Sequence, residues 1–351
     1  MLKPLNSERF FYTYMVSKYY GVRLVIRKLV VLLSSLCVSN AYSVELTPYI
    51  VNGNDISATK YPSFASLMYD RIDYDRVYGT SPYCGATLLT EYYVLTAAHC
   101  IYGNTNTQLF TSVVPQLGNE SDFPNAITQR VMVSAYYYPD NYKNSTLAND
   151  IAILKLAEPI TAVSIQPNLA DSDDATNYRG VNSGDPFYAI GHGNTQSGRD
   201  DSNALQETQL SYVSNCNVYN VDTSANLCMG GASSQNGLDN ATCQGDSGGP
   251  LFWNNKQVGI TSFGPTTCGD MSVVPNSVFT EVSAHRAWIS SVLAGSVAPK
   301  VTVNDAKRNN YLNSSNTSSG DSGGANSWFS LLVLAGLAYW RRRSYRLQRY
   351  S

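Results

Sequence analysis

The segment Cys243-Gln244-Gly245-Asp246-Ser247-Gly248-Gly249-Pro250, followed by a strand-like run, is the most informative stretch of this 351-residue chain. Glycines on both sides of Ser247 allow a sharp turn that exposes the hydroxyl and aims amide N–H groups at one point. Around it, from Ile50 to Leu293, short apolar, β-branched and aromatic runs alternate with Gly, Asn, Ser and Pro. Gly85-Ala86-Thr87-Leu88-Leu89, Tyr93-Val94-Leu95, Ile151-Ala152-Ile153-Leu154 and Val278-Phe279 are examples. Closely spaced strands without long helical periods predict an all-β sandwich or barrel. One helix is expected, over Val282 to Leu293, where Trp288, Ile289 and Val292 share a face.

An activated hydroxyl needs a base, a group that orients the base, and donors for the oxyanion that develops. The chain has three histidines to supply the base. His99 sits in Leu95-Thr96-Ala97-Ala98-His99-Cys100, His192 in a Gly-His-Gly turn, and His285 on the predicted helix. Asp150 opens Asp150-Ile151-Ala152-Ile153-Leu154, where the mouth of a buried strand can both desolvate and fix a carboxylate.

Thr96-Ala97-Ala98-His99-Cys100, Asn149-Asp150-Ile151-Ala152 and Gly245-Asp246-Ser247-Gly248-Gly249-Pro250, in that order, resemble the motifs of chymotrypsin/trypsin-like serine proteases. The resemblance runs from Ile50 to about Leu293. It implies two six-stranded antiparallel Greek-key barrels with a C-terminal helix, and a serine endopeptidase acting on protein or peptide substrates. It assigns His99 as base, Asp150 as its orienter and Ser247 as nucleophile, with the N–H groups of Gly245 and Ser247 as the oxyanion hole. It pairs Cys84 with Cys100, Cys216 with Cys228, and Cys243 with Cys268. Ile50-Val51-Asn52-Gly53 resembles the family's mature N-terminus, whose freed ammonium pairs with the residue here numbered Asp246. Tyr49 precedes it where trypsin-activated zymogens carry Arg or Lys, so the activator is a different protease or the enzyme itself.

The resemblance places Ala241, Ser262, Phe263, Gly264 and Ser277 around the specificity pocket. Ala241 stands where trypsins carry an aspartate, which implies a preference for apolar or aromatic side chains. Asp239 and Asp270 are near enough in sequence to keep a trypsin-like preference as the alternative. A catalytically weak binding module of the same fold is a further alternative. No cofactor or metal is expected; a structural calcium ion stays open, because no carboxylate-rich loop stands out between Cys100 and Asp150.

Charged residues make up 14% of the chain and the net charge is −2, which gives no reason to expect a nucleic-acid partner. Hydrophobic residues, at 43%, suffice for a substantial core. Of seven cysteines, Cys37 lies in an N-terminal apolar run and six lie between 84 and 268, an even set suited to an oxidising compartment. Lys18, Arg23, Arg27 and Lys28 precede the apolar stretch Leu29 to Val38, and Ala41-Tyr42-Ser43 offers a cleavage site. The long region before that stretch makes Met15 an alternative start.

The expected division is therefore 1–43 signal peptide, 44–49 propeptide, 50–295 protease domain, 296–326 flexible linker, and 327–351 apolar helix with basic tail. The linker holds a second Gly-Asp-Ser-Gly-Gly at 320–324, but it lacks the preceding cysteine, the following strand and any means to build a core. Ser322 is therefore not the nucleophile. Gly323-Gly324, an apolar stretch and Arg341-Arg342-Arg343 resemble the GlyGly-CTERM sorting signal of Gram-negative bacteria. That resemblance implies type II secretion, rhomboid-like processing, transient membrane association and display or release at the cell surface. A plain C-terminal anchor is the alternative.

Overall fold

The computed structural model describes residues 50–318, apart from 166, 181–184, 200–201, 214–215 and 220–224. The expected signal peptide, propeptide, glycine pair and apolar tail lie outside the described residues. Among the described residues no helix is long and apolar enough to cross a membrane.

Six strands build the first barrel: β1 (Phe64–Arg71), β2 (Cys84–Leu88), β3 (Tyr93–Thr96), β4 (Thr111–Pro115), β5 (Val131–Tyr137) and β6 (Ala152–Leu156). Six more build the second: β7 (Phe187–Gly191), β8 (Gln206–Val213), β9 (Asn226–Gly231), β10 (Pro250–Trp253), β11 (Lys256–Phe263) and β12 (Ser277–Glu281). All pairings within them are antiparallel. The first closes in the order β1-β2-β3-β6-β5-β4 and the second in the matching order β7-β8-β9-β12-β11-β10. Closure pairs the edges that an open sheet would expose. The expected pair of six-stranded barrels is present.

The sequence pattern explains the barrels. Along β5, Val131, Val133 and Ala135 are buried while Met132 and Ser134 are half-buried, the period-two alternation of a one-sided strand. The first core gathers Leu67, Val94, Leu95, Val113, Val133, Ile153 and Leu154. The second gathers Phe187, Leu210, Leu227, Leu251 and Phe279, with Tyr178 edge-on to Trp253 at 5.7 Å. Five α-helices accompany the described strands: α1 (Ile72–Asp75), α2 (Thr105–Leu109), α3 (Ser172–Tyr178), α4 (Val282–Leu293) and α5 (Asp305–Ser318). Of the predicted face, helix α4 buries Ile289 and Val292 and half-buries Trp288 against the core, and it buries Val282 and His285 as well. The three disulfides, Cys84–Cys100, Cys216–Cys228 and Cys243–Cys268, form as the family pattern implies.

One expectation is corrected. Composition predicts a flexible linker over 296–326, but its first part is folded. Strand β13 (Val301–Thr302) pairs antiparallel with β5, opposite Tyr136 and Ala135, and α5 follows. The reason lies in β4, which pairs with β5 only at Val131 and Met132 and leaves the backbone beyond them unpartnered on that side. The amides of Val303 and Lys300 fill the gap, donating to the carbonyls of Ser134 and Tyr136 at 2.8 Å each. Average polarity hides the few residues that dock, among them Val303, Arg308 and Tyr311.

Candidate active site

His99 lies on the 3₁₀ turn Ala98–Cys100 that follows β3, and the Cys84–Cys100 bridge ties this turn back to β2. Asp150, wholly buried, precedes β6, the hydrogen-bonded neighbour of β3. Thr96 faces Ala152 in that pairing, so the ladder register itself brings the histidine turn beside the carboxylate. His99 Nδ1 is 2.7 Å from Asp150 Oδ2, and the His99 backbone amide donates to Oδ1 at 2.9 Å. A carboxylate can only accept, so in the neutral ring Nδ1 carries the hydrogen and Nε2 keeps its lone pair.

The second barrel completes this arrangement. Ser262 Oγ donates to Asp150 Oδ2 at 2.5 Å, and Thr280 Oγ1 donates to the Asp150 carbonyl at 2.8 Å. Neither contact is legible in sequence, because each joins residues more than a hundred positions apart on different barrels. The other two histidines are occupied elsewhere. His285 Nδ1 meets the Glu281 carbonyl at 2.8 Å, and His192 Nε2 donates to the Leu117 carbonyl at 3.0 Å.

Ser247 is half-buried on the turn before β10. Gly248 adopts φ +74°, and a Cβ there would fall 2.1 Å from Thr96 Oγ1 and 3.1 Å from the Ala97 nitrogen. The serine turn is thus packed backbone-to-backbone on the residues leading into His99. The Gly85 amide, beside the bridged Cys84, donates to the Ser247 carbonyl at 2.8 Å and fixes the same approach. Gly245 adopts φ +106°, and a Cβ there would meet Gly193 Cα at 2.8 Å. Neither the Gly245 nor the Ser247 N–H has an acceptor among the described residues.

Asp246 is fully buried, and its carboxylate accepts the amides of Gly193 and Cys243 at 2.8 Å each. Ile50 and Val51 are buried too, the Ile50 amide donating to the side-chain carbonyl of Gln206. Gln206 also donates to Asp55 Oδ1 at 2.7 Å, a tie on the first residues of the domain that the sequence does not announce. The Val51 carbonyl accepts the Ala241 amide at 3.3 Å, which links the segment to the loop before the serine turn.

His192, beside Gly193, is buried with Nδ1 unpartnered among the described residues, and burial pushes its pKa down from 6.5 to about 4. The folded ring stays neutral where the unfolded one takes a proton. The stability this contributes is whole above about pH 6.5 and is lost as pH falls through 4. The native state should therefore lose about 2 kcal/mol from this group between pH 7.5 and pH 5. Denaturant midpoints at the two values measure it, and His192→Gln is expected to flatten the difference.

The pocket residues are brought together with different duties. Ala241 is fully buried among Val51, Cys243 and Cys268. Ser277 Oγ accepts the Thr242 amide at 3.1 Å. Phe263 packs at a right angle on Tyr219, ring centres 5.3 Å apart. A Cβ on Gly264 would stand 2.7 Å from the Asn276 carbonyl, so the glycine also admits a close pass of the chain. Ser262, expected as a pocket wall, also has its hydroxyl bonded to Asp150. The carboxylates of Asp239 and Asp270 bond to the hydroxyls of Ser234 and Ser272 in their own turns.

The trypsin family model matches residues 50–289. Chymotrypsin-like elastase family member 1 of Canis lupus familiaris is 30% identical over 71% of this chain and 94% of its own. Brachyurin of Leptuca pugilator is 30% identical over 69% of this chain and 97% of its own. Human heparin binding protein, a solved structure, superposes with a TM-score of 0.56 at 22% identity, covering 72% of this chain and 100% of that one, a likeness of fold. Matched over most of its length by the family model and by relatives almost end to end, the chain belongs to the trypsin family of serine proteases.

Proposed function

We propose that this chain is the precursor of a secreted serine endopeptidase in which His99, Asp150 and Ser247 form the catalytic triad. The observation that carries the reading is the carboxylate of Asp150 at 2.7 Å from His99 Nδ1, with the Ser247 turn packed against the histidine turn. His99 Nε2 takes the proton as Ser247 Oγ attacks the scissile carbonyl, and the Gly245 and Ser247 amides receive the oxyanion. His99 then protonates the leaving amine, and a water admitted by the same base hydrolyses the acyl-enzyme. Asp150 holds the tautomer and stabilises the imidazolium.

Cleavage after Tyr49 frees the Ile50 ammonium, whose charge pairs with Asp246 and orders the oxyanion hole. A buried carboxylate gains most from a charged partner, which makes this pairing a switch. The pocket takes apolar or aromatic side chains, because Ala241 brings no charge and Asp239 and Asp270 are engaged in their own turns. That preference allows self-activation at Tyr49. The three disulfides suit an oxidising compartment. Export by the signal peptide, type II secretion and rhomboid-like trimming near Gly323-Gly324 complete the route to the surface of a Gram-negative bacterium.

Fluorophosphonate labelling before and after cleavage at Ile50, followed by a panel of peptide reporters, tests the reading. Labelling of Ser247 that rises on cleavage, with turnover of aromatic or apolar reporters, is expected. A mature protein that takes no label would be a binding module, and selectivity for Arg/Lys reporters would overturn the pocket assignment.

A further inference from the structure

The family match ends at residue 289, yet the fold continues through β13 and α5 to Ser318. On α5, Arg308 is only 2% exposed. Its Nε donates to the Leu109 carbonyl and its Nη2 to the Val133 carbonyl, both at 2.6 Å. Nη1 reaches Asp305 at 2.9 Å, and Asp305 also accepts the Tyr74 hydroxyl at 2.6 Å. Tyr311, one turn on, packs edge-to-face on Phe110 with ring centres 6.0 Å apart.

Leu109 is the last residue of α2, a five-residue helix too short to persist on its own. Its terminal carbonyls have no partners within the helix and depend on outside donors. Arg308 serves Leu109, and the Tyr136 hydroxyl serves Gln108 at 2.6 Å. A cation there also suits the negative end of the helix. The Gln108 side chain in turn donates to the Ile101 carbonyl at 2.8 Å, two residues beyond His99. Without Arg308, two buried carbonyls lose their donor, and α2 loosens its hold on the histidine turn.

We propose that residues 300–318 are a built-in brace of the active site, with Arg308 a positioning residue that sets the His99 turn through α2. The proposal rests on the catalytic reading above and adds a dependence on sequence outside the family domain. In the full mature chain, Arg308→Ala should speed hydrogen exchange at the His99–Tyr102 amides at least tenfold. Its kcat per fluorophosphonate-labelled site should fall about tenfold with KM within twofold, the mark of a misplaced catalytic group. Arg308→Lys, able to reach one carbonyl, should fall between. Tyr311→Ala, which leaves both carbonyls served, should lower Tm while kcat per labelled site falls far less than in Arg308→Ala. Unchanged exchange and unchanged kcat per labelled site in Arg308→Ala, whatever its Tm, would overturn the brace. A wild type that takes no label would overturn the catalytic reading, while exchange would still decide the brace.

Discussion

Ser247→Ala is expected to lower kcat for peptide hydrolysis by about a millionfold per folded molecule. The loss is this large because no second nucleophile can use the same base. The Gly248 backbone is lodged against Thr96 and Ala97, which brings the adjoining Ser247 to the histidine turn. The residual rate should stay about a thousandfold above that of water, since the Gly245 and residue-247 amides survive the substitution. Circular dichroism at matched concentration would show that the fold is intact, because removing a half-buried hydroxyl leaves no cavity in either core. Ser322→Ala is the control: it alters the other Gly-Asp-Ser-Gly-Gly and should leave kcat unchanged. Substantial activity in Ser247→Ala would overturn the assignment of the nucleophile.

Asp150→Asn is expected to lower kcat by about ten-thousandfold while leaving KM nearly unchanged. Three donors converge on this carboxylate: the His99 amide on Oδ1, and His99 Nδ1 with Ser262 Oγ on Oδ2. An asparagine offers one oxygen and one NH₂ group. The His99 amide is fixed in the backbone and must meet the oxygen, because an NH₂ opposite it would set two buried donors face to face. The NH₂ then confronts Nδ1, and the ring is driven to the tautomer that carries its hydrogen on Nε2. Such a ring cannot take a proton from Ser247. Near-normal reporter binding at pH 7, with activity recovering towards alkaline pH as solvent hydroxide replaces the base, is the pattern to look for.

The parts legible in sequence share one property: each is carried by a short contiguous stretch. Thr96 to Cys100, Asn149 to Leu154 and Cys243 to Pro250 hold residue types that only one arrangement uses together. The apolar runs Tyr93 to Leu95 and Ile151 to Leu154 likewise announce the strands they form. What stayed hidden depends on pairing across distance. Ser262 reads as a pocket residue and Thr280 as a strand residue until β11 and β12 bring their hydroxyls to Asp150. Arg308 reads as one charge in an Asn/Ser-rich tract, and its burial depends on the gap that β4 leaves beside β5. Gln206 reads as an ordinary polar position until Ile50 is folded against it. Composition averages over a segment, whereas docking is decided by a handful of its side chains.

The two barrels follow one strand order, although no repeat is visible in the amino acids. His99 and Asp150 belong to one copy, and Ser247 with its two amides to the other. In the proposed mechanism, proton acceptor and nucleophile therefore reside on opposite sides of a seam, which the core crosses where Ile260 and Val282 join the first-barrel cluster. On that mechanism, turnover reports how the halves register against one another, which a measure of folding does not. A shift of about 1 Å at the seam would, on the same mechanism, cost about a hundredfold in rate while leaving both cylinders whole.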